Sequence, residues 1–301
     1  MVKRIFILVL ITVCVVAGSC KKAPEEIVHH ALLIMNPYQP VQKGANTVIP
    51  SETNIMAIDL LGEKKENIQK CQLYIQWYFN HMNPADRYDM SGTINEYEIL
   101  PDGTERSLNT YSSASEPAAT FILLLNRFYT VSGYSNVITR NKDRIKDIAY
   151  IVSHLQDEDG LIKEIPASGL KLLKTNCLAY AAMNAYIDLA RKMNWEDMEF
   201  YTEVRDGIQN GIIESFYNEE KNEFYWKIEG KQKTAVNWEN ITPDSISQCY
   251  PMVYQIAPPN NDLQLLWTKF HKYNKKDDAR DAGPVEGIIY HWAVSKMGEK
   301  K

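Results

Sequence analysis

ENIQKCQLYIQWYFNH, residues Glu66 to His81, decides the fold class of this chain. Its apolar residues recur three or four positions apart, so one side of the predicted helix is apolar and the other side is polar. The apolar face carries Ile68, Cys71, Tyr74, Ile75, Tyr78 and Phe79. The same period returns in long stretches down the chain, and it predicts about nine or ten helices in antiparallel pairs.

The other predicted helices are joined by short polar connections. They cover Asn54–Leu61 (capped by Ser51 or Thr53), Pro117–Ser132 (ended by Gly133), Arg140–Leu155, Leu172–Met193, Glu196–Tyr217, and residues 243–257, 260–273 and 283–297. Two stretches break the period and predict small strand pairs, residues 88–110 around a Pro-Asp-Gly-Thr turn and residues 218–236 with a glycine at the turn. Strands that occur only as insertions between helix pairs predict an all-α bundle or toroid.

The first residues predict an export signal. Lys3 and Arg4 precede an apolar run, Ile5–Val16, that is too short to cross a membrane as a helix. The following Ala-Gly-Ser-Cys resembles a bacterial lipobox, so we expect a lipid anchor on Cys20; the alternative is an ordinary secretory peptide with an incidental cysteine. The predicted location is the cell envelope, at the outer membrane of a Gram-negative bacterium. The predicted parts are a signal peptide at 1–19, a lipidated tether and extended arm at 20–50, and the helical domain at 51–301.

Charge and cysteine content argue against several functions. Loss of the two basic residues with the signal peptide changes the formal net charge from −5 to −7, which disfavours nucleic acid because phosphate contacts need clustered Lys and Arg. Cys71, Cys177 and Cys249 are widely spaced in apolar helical stretches, so we expect three small buried hydrophobic side chains. Neither histidines nor cysteines show the spacing of a metal site, and no dinucleotide or phosphate-binding motif is present, so we predict no metal and no cofactor.

Several short motifs, taken in order and spacing, resemble the six-hairpin glycosidase-like proteins. They are Ile75–His81 in an early helix, Gly92–Tyr97 in the first strand insertion, Ala118–Phe121 at a core helix start, Thr175-Asn176 with Tyr180-Ala181, and Pro243-Asp244-Ser245 with Gln248 and Tyr250-Pro251. The resemblance covers most of residues 50–295 in patches. It implies an (α/α)6-type toroid, complete or lacking one hairpin, with small β-hairpin insertions. It also implies a funnel-like cavity at one end, lined by helix N-termini.

The chemistry that the resemblance implies is cleavage of glycosidic bonds by paired carboxyl groups, without a metal. Where the family would have Tyr-Asp-Ser-x-Asp-Ser, this chain has YSSASE from Tyr111 to Glu116, so Ser112 and Ser115 replace both expected aspartates. A serine hydroxyl cannot protonate a leaving oxygen, and it is a weak nucleophile without an activating base. The pair must then come from other acids, namely Asp89, Glu96, Glu98, Glu116, Asp244 and Glu286.

The predicted catalytic residues are Glu96, Asp244 and Glu116. Glu96 lies in the first strand insertion, and Asp244 lies at a predicted helix start. Each also has a structural alternative, which is a solvated strand position for Glu96 and helix capping for the other two. The predicted sugar-contacting residues are Tyr97, Tyr111, Asn176, Trp226, Trp238 and Gln248.

Three functional hypotheses follow. The first is an envelope-anchored glycoside hydrolase acting on a poly- or oligosaccharide. The second is a non-catalytic glycan-binding lipoprotein on the same scaffold, favoured by the two serines. The third is a polysaccharide lyase, for which the sequence offers no distinguishing motif. The predicted partners are carbohydrate and, through the lipid anchor, a membrane.

Overall fold

Helices dominate the computed structural model, which describes residues 29–62, 64–258, 263–274 and 281–298. The helices are α1 (His30–Met35), α2 (Pro50–Leu60), α3 (Lys65–His81), α4 (Ser115–Ser132), α5 (Ser135–Arg140), α6 (Lys142–His154), α7 (Leu173–Met193), α8 (Met198–Gly211), α9 (Cys249–Tyr254), α10 (Leu263–Tyr273) and α11 (Pro284–Met297). Two π-helical segments, Ile212–Phe216 and Ile241–Ser245, follow α8 and precede α9. The predicted all-α class is confirmed.

Short antiparallel strands are inserted between the helices. They are β1 (Asn46–Val48), β2 (Tyr97–Ile99), β3 (Glu105–Ser107), β4 (Leu170–Leu172), β5 (Tyr217–Asn218), β6 (Glu223–Phe224), β7 (Lys227–Glu229) and β8 (Gln232–Thr234). The sheets have the orders β1-β2-β3, β4-β7-β8 and β5-β6. Both predicted hairpins are therefore present, and each gains a third strand from elsewhere in the chain.

Five helices form a closed inner ring. Helix α2 contacts α4, α4 contacts α7, α7 contacts α9, α9 contacts α11, and α11 returns to α2. The outer layer consists of α1, α3, α6, α8 and α10, each packed against at least one inner helix. Because inner and outer helices alternate along the chain, the architecture is an α/α toroid. The described residues supply five inner helices, one fewer than a complete (α/α)6 toroid has.

The chain from His29 onward packs against the domain that we predicted to begin at residue 51. The His29 ring accepts a hydrogen bond from the Ala31 N–H at 3.1 Å and so caps α1, and its other nitrogen lies 2.6 Å from Glu105 Oε1. Helix α1 contacts α2 and α3, and β1 pairs with β2. The predicted signal peptide and Cys20 lie outside the described residues. No helix within those residues is both long and apolar enough to cross a membrane.

The inner helices form the core because neighbouring inner and outer helices cover most of their surface. In α4 and α7 the buried residues include small ones such as Ala119, Ala179 and Ala182, which lets neighbouring helices approach closely. Helix α4 ends at Gly133, whose φ of 70° is the left-handed conformation that a glycine adopts without strain. The three predicted cysteines are free and buried, as expected.

Candidate active site

A cavity of about 100 Å³ opens at the end of the ring where the inner helices begin. Each inner helix contributes at least one residue from its first turn or just before it, and these residues are Glu52, Glu116, Lys174, Ser247, Tyr250 and Glu286. The other lining residues are Leu172, Trp226, Thr242, Pro243, Ile246 and Val285. The cavity thus has the position that the resemblance implied, at helix N-termini and the loops before them.

Local sequence explains why acids lie at these helix starts. Pro50 and Pro284 begin α2 and α11, where a missing N–H is harmless and the fixed φ suits a helix. Glu52 and Glu286 follow two residues later, and Glu116 is the second residue of α4. Carboxylates are favoured there because the unpaired N–H groups of the first turn carry partial positive charge. Since the inner helices begin at one end of the ring, this local preference brings three carboxyl groups together.

Lys174 places a positive charge among these carboxyl groups. Its Nζ lies 3.0 Å from Oε1 of Glu116. The Glu116 carboxylate is the main cause of a raised pKa of Lys174, with smaller contributions from Glu164 and Glu52, while burial acts in the opposite direction. The two side chains therefore form an ammonium–carboxylate pair, which holds Glu116 at the cavity wall.

Glu52 is in a different electrostatic state. Its side chain is exposed to solvent where it lines the cavity. Burial and then the charges of Glu116 and Glu286 raise the pKa of Glu52 to about 6, against the opposing effect of Lys174. Among the neighbouring charges Glu116 has the largest effect. Near neutral pH part of the Glu52 population therefore carries a proton.

Glu164 is a further carboxyl group that lies behind the cavity and is only 4% exposed. Its backbone carbonyl accepts a hydrogen bond from the Ala114 N–H at 2.8 Å, which ties its loop to the start of α4. Burial and then the Glu116 charge raise the pKa of Glu164 to about 7. Its Oε1 is buried without a hydrogen-bond partner, and an unpaired buried oxygen favours the protonated form.

The remaining wall of the cavity is largely apolar and aromatic. Trp226 lies along it, and its Nε1 donor is buried without a hydrogen-bond partner in the structure. Tyr250 is 5% exposed, and burial raises the pKa of its hydroxyl. An aromatic wall opposite polar groups suits a sugar, which has apolar ring faces and a hydroxyl edge. The arrangement can therefore bind a sugar and offer it a partly protonated carboxyl group and an ion-paired one.

No protein-family model matches the sequence, and no curated protein matches it significantly. Solved structures match in fold. A rhamnosidase from Klebsiella oxytoca with rhamnose bound has a TM-score of 0.61, with 9% identity, over 90% of this chain and 51% of its own. A GH78 family rhamnosidase of Bacillus sp. GL1 has a TM-score of 0.53, with 12% identity, over 87% of this chain and 30% of its own. This chain therefore shares its fold with part of each rhamnosidase.

The matched region covers most of this chain but only part of each rhamnosidase. The chain spans about half of the first rhamnosidase and less than a third of the second. Identities this low establish the fold alone. The chemistry must therefore be argued from the side chains of the cavity.

Two of the predicted site residues line the cavity, namely Glu116 and Trp226, and so does Glu286 from the wider set of candidate acids. Glu96 is not among the lining residues, but its charge contributes to the raised pKa of Glu52, so it lies nearby. Ser115 is fully buried and contacts the Ser113 hydroxyl at 3.2 Å, and Ser113 accepts a hydrogen bond from the Glu116 N–H at 3.0 Å. The Ser113 hydroxyl therefore pairs an N–H of the first turn of α4, a capping role that we had given as the structural alternative for Glu116.

The late-chain candidates stabilise loops. One carboxylate oxygen of Asp244 accepts a hydrogen bond from the Asn237 N–H at 2.8 Å, and the other lies 3.4 Å from the side-chain amide of Asn240. Trp238 donates from Nε1 to Glu223 at 2.8 Å. Gln248 is fully buried and bonds the backbone N–H and carbonyl of Phe224, at 2.8 and 2.9 Å. None of the three predicted residues lines the cavity.

The remaining candidates also have structural partners. Asn176 is fully buried and bonds both backbone groups of Ile162, at 2.7 and 3.2 Å. Tyr97 packs edge-on against Trp77 and His81. The Tyr111 hydroxyl donates to Asp86 at 2.5 Å. These three are likewise absent from the cavity wall.

Sequence reasoning missed Glu52, Lys174 and Glu164. A signal existed for Glu52, because Pro50 followed two residues later by an acid is typical of a first helical turn. Lys174 follows the predicted helix start at residue 172, yet nothing local shows that it would meet Glu116. Glu164 lies in a stretch whose sequence indicates only a polar loop.

Proposed function

We propose that this protein acts on carbohydrate as a glycoside hydrolase, with Glu52 as the general acid and Glu116 as its partner carboxylate. One observation carries the proposal: the cavity brings together a carboxyl group with a pKa of about 6 and a second one ion-paired with Lys174. Glycoside hydrolysis needs one protonated and one ionised carboxyl group flanking the scissile bond. The six-hairpin fold is compatible with this chemistry.

In the proposed reaction Glu52 gives its proton to the glycosidic oxygen while the bond from that oxygen to C1 breaks. Positive charge then develops at C1 and the ring oxygen, and the ionised carboxylates stabilise it. Glu116 completes the reaction in one of two ways. It attacks C1 to form a covalent intermediate that water hydrolyses, or it removes a proton from the water that attacks C1. The anomer that is released first, observed by NMR, distinguishes these routes.

The size of the cavity constrains how a substrate binds. Pockets for whole small ligands are roughly 300–1,000 Å³, whereas this cavity is about 100 Å³. Part of one sugar ring would therefore enter, and the rest of the glycan would lie across the exposed rim formed by Thr242 and Pro243. This favours a substrate that presents a chain end.

The test is release of reducing sugar from a panel of glycans and aryl glycosides, which includes rhamnosides because two of the solved structures with this fold are rhamnosidases. Glu52→Gln should abolish cleavage of natural glycans but retain cleavage of 2,4-dinitrophenyl glycosides, whose leaving group needs no proton. Glu116→Gln should abolish both. Glu98→Gln is the matched control, since Glu98 pairs with Arg106 on the first hairpin. Full activity of either cavity variant on natural glycans rejects the assignment.

A non-catalytic glycan-binding role is the second candidate, and one observation favours it. Ser112 is exposed and Ser115 is fully buried, so neither residue at the expected aspartate positions lines the cavity. Binding without turnover across the panel would support this alternative. The lyase hypothesis is less well supported, because burial raises the pKa of Tyr250, the cavity tyrosine, and so keeps its hydroxyl protonated and unable to accept a proton.

We also propose that Cys20 carries a lipid that anchors the domain to the cell envelope. The support is the sequence alone, a short apolar run followed by Ala-Gly-Ser-Cys. Metabolic labelling with a fatty acid should mark the wild type and leave Cys20→Ser unlabelled. Equal labelling of both proteins contradicts the anchor.

A further inference from the structure

Three titratable side chains connect the start of the described chain to the outer layer of the domain. Helix α1 and strand β1 belong to an N-terminal arm, residues 29–48, which packs against α3 and the first hairpin. Glu105 on β3 lies between two histidines. Its Oε1 is 2.6 Å from Nε2 of His29, and its Oε2 contacts Nε2 of His81 at the end of α3. We call this cluster the histidine clasp and define it by His29, His81 and Glu105.

The backbone fixes the protonation state of His29. Its Nδ1 accepts the N–H of Ala31 at 3.1 Å, so Nδ1 carries no hydrogen. A neutral imidazole then has its hydrogen on Nε2, which donates to Glu105. A second proton would have to bind Nδ1 and would remove the cap of α1. Burial favours the neutral form, because it lowers the pKa of His29 and outweighs the opposing effects of Glu105.

His81 has the opposite requirement. Its Nδ1 lies 2.7 Å from the backbone carbonyl of Trp77, which only accepts, so Nδ1 carries a hydrogen. Its Nε2 faces Oε2 of Glu105, and this contact needs a proton between the two atoms. Burial acts to raise the pKa of Glu105, but the hydrogen bond from His29 and the charge of His81 lower it below its ordinary value. Glu105 is therefore ionised, and the proton lies on His81 as an imidazolium.

Trp77 favours the charged form of His81. The two rings are stacked with their centroids 4.5 Å apart, and the face of an indole ring attracts a cation. Trp77 also donates from Nε1 to Oε1 of Glu105 at 2.9 Å. Oε1 thus accepts from two donors, while Oε2 accepts from the imidazolium. In this protonation state each ring nitrogen of His29 and His81 has a partner.

The elements around the clasp carry other titratable or charged side chains. They are His30 on α1, Asp59 on α2, Tyr74 on α3, Tyr97 on β2 and Arg106 beside Glu105. Burial raises the pKa of both tyrosines, so their hydroxyls stay protonated. Asp59 accepts hydrogen bonds from Tyr38 and Trp292, and Arg106 pairs with Glu98. The His30 ring is 6.3 Å from the His29 ring, and a charge on it opposes protonation of His29.

We propose that the histidine clasp is a pH-sensitive device, which docks the N-terminal arm on the domain while His81 is charged and His29 is neutral. When the pH rises, His81 loses the proton on Nε2, and two lone pairs then face each other across the contact with Glu105. When the pH falls, His29 is protonated at Nδ1 and α1 loses its cap. Because the pKa of His29 in the fold lies below its ordinary 6.5, its contribution is complete above pH 6.5 and is lost as the pH falls through the lower value.

Hydrogen exchange between pH 4.5 and pH 9 measures the docking. The reporters are the amides of Leu33 and Asn36, which bond the carbonyls of His29 and Leu32. Their protection factors, which exclude the intrinsic effect of pH on exchange, should fall about tenfold on the alkaline side, where a hydrogen bond to a charged group is lost. On the acid side, loss of the cap should lower them about fivefold. Helix α5, which also has 6 residues and contains no histidine, is the internal reference and should not change.

NMR of the histidine ring nitrogens connects these changes to the clasp. The alkaline fall in protection should have the same midpoint as the loss of the second ring proton of His81. The acid fall should have the same midpoint as the protonation of His29 at Nδ1. At neutral pH, His29 should carry its only ring hydrogen on Nε2.

Two variants separate the two sides of the pH profile. In Glu105→Gln the amide oxygen still accepts from His29 and Trp77, and the amide N–H can donate to a neutral His81, so the alkaline fall should disappear while α1 stays protected. In His29→Asn the side-chain oxygen can still cap α1 but does not titrate, so the acid fall should disappear. His154→Asn, which removes an exposed histidine from α6, should leave both sides unchanged.

The proposal is overturned if the protection of α1 stays constant while His81 titrates, or if Glu105→Gln shows the alkaline fall of the wild type. A ring hydrogen on Nδ1 of His29 at neutral pH also overturns it, and this result needs no variant. So does a parallel loss of protection in α5, which would mean that the whole domain opens. No glycan is present in these measurements, so their outcome does not depend on the proposed hydrolysis.

Discussion

Replacing Glu164 by glutamine should remove a pH-dependent destabilisation of the fold. In the folded protein burial and Glu116 raise the pKa of Glu164 to about 7, from an ordinary value of 4.5. The folded state therefore binds this proton more tightly than the unfolded chain does. The Glu164 carboxyl group therefore does not destabilise the fold below pH 4.5. The destabilisation grows as the pH rises from 4.5 and is complete above 7.

The size of the effect follows from the two pKa values. With 4.5 in the unfolded chain and about 7 in the fold, the destabilisation is below about 1 kcal/mol at pH 5 and above about 3 kcal/mol at pH 8, a step of roughly 2–3 kcal/mol. Glutamine has nearly the shape of glutamate but does not titrate. Any change in packing or amide hydrogen bonding is the same at both pH values, so it cancels from the step.

Urea unfolding of the wild type, Glu164→Gln and a control at pH 5 and pH 8 measures this step. The control is Glu158→Gln, which removes an exposed carboxyl group from the same loop. Relative to the wild type, Glu164→Gln should gain roughly 2–3 kcal/mol of stability between the two pH values, and Glu158→Gln should gain almost none. In a Glu116→Gln background the step should shrink, because Glu116 is the second cause of the raised pKa. Parallel pH curves for Glu164→Gln and the wild type would refute the reasoning.

Four further predictions follow from the same contacts. Lys174→Met should shift the pH profile of turnover towards higher pH, because Lys174 lowers the pKa of both Glu52 and Glu164. An unchanged profile contradicts the ion-pair role. Asn176→Leu should lower the free energy of unfolding by about 2–4 kcal/mol, measured in urea, by leaving buried backbone groups unpaired, without weakening glycan binding by the folded protein. Gly283→Ala would put a Cβ 2.5 Å from Oε2 of Glu286 at a residue whose φ of 154° strains an L side chain, so KM should change and the melting temperature should fall. Uronate glycans should bind the acid-lined cavity more weakly than neutral ones, with a difference that shrinks as salt is added.

Most of the fold could be predicted because helical periodicity is a local property. The predicted helix at Leu172–Met193 differs by one residue from α7, and the predicted end of α4 at Gly133 is correct. The closure of five inner helices could not be predicted in this way. It depends on contacts between α11 and α2, which lie at opposite ends of the described chain.

An error of a few residues in one helix start concealed an important acid. We predicted a helix from Asn54, capped by Ser51 or Thr53, whereas α2 begins at Pro50. The difference moves Glu52 from the loop before the helix into its first turn, where it points to the cavity. Helix boundaries are the least certain part of sequence analysis, and in this fold the cavity residues lie at the starts of the inner helices.

Asp244 and Glu52 show why residue type at a helix start does not identify a catalytic acid. Both are acids at a predicted or observed helix start, and both positions favour a carboxylate. Asp244 accepts hydrogen bonds from its own loop, through Asn237 and Asn240, so each of its carboxylate oxygens already has a partner. Glu52 lies in the first turn of a helix that begins at a proline. Its carboxyl group lines the same cavity as Glu116 and Glu286. A carboxyl group that is not consumed by capping, and that is held beside other negative charges, is the one whose pKa rises towards neutrality.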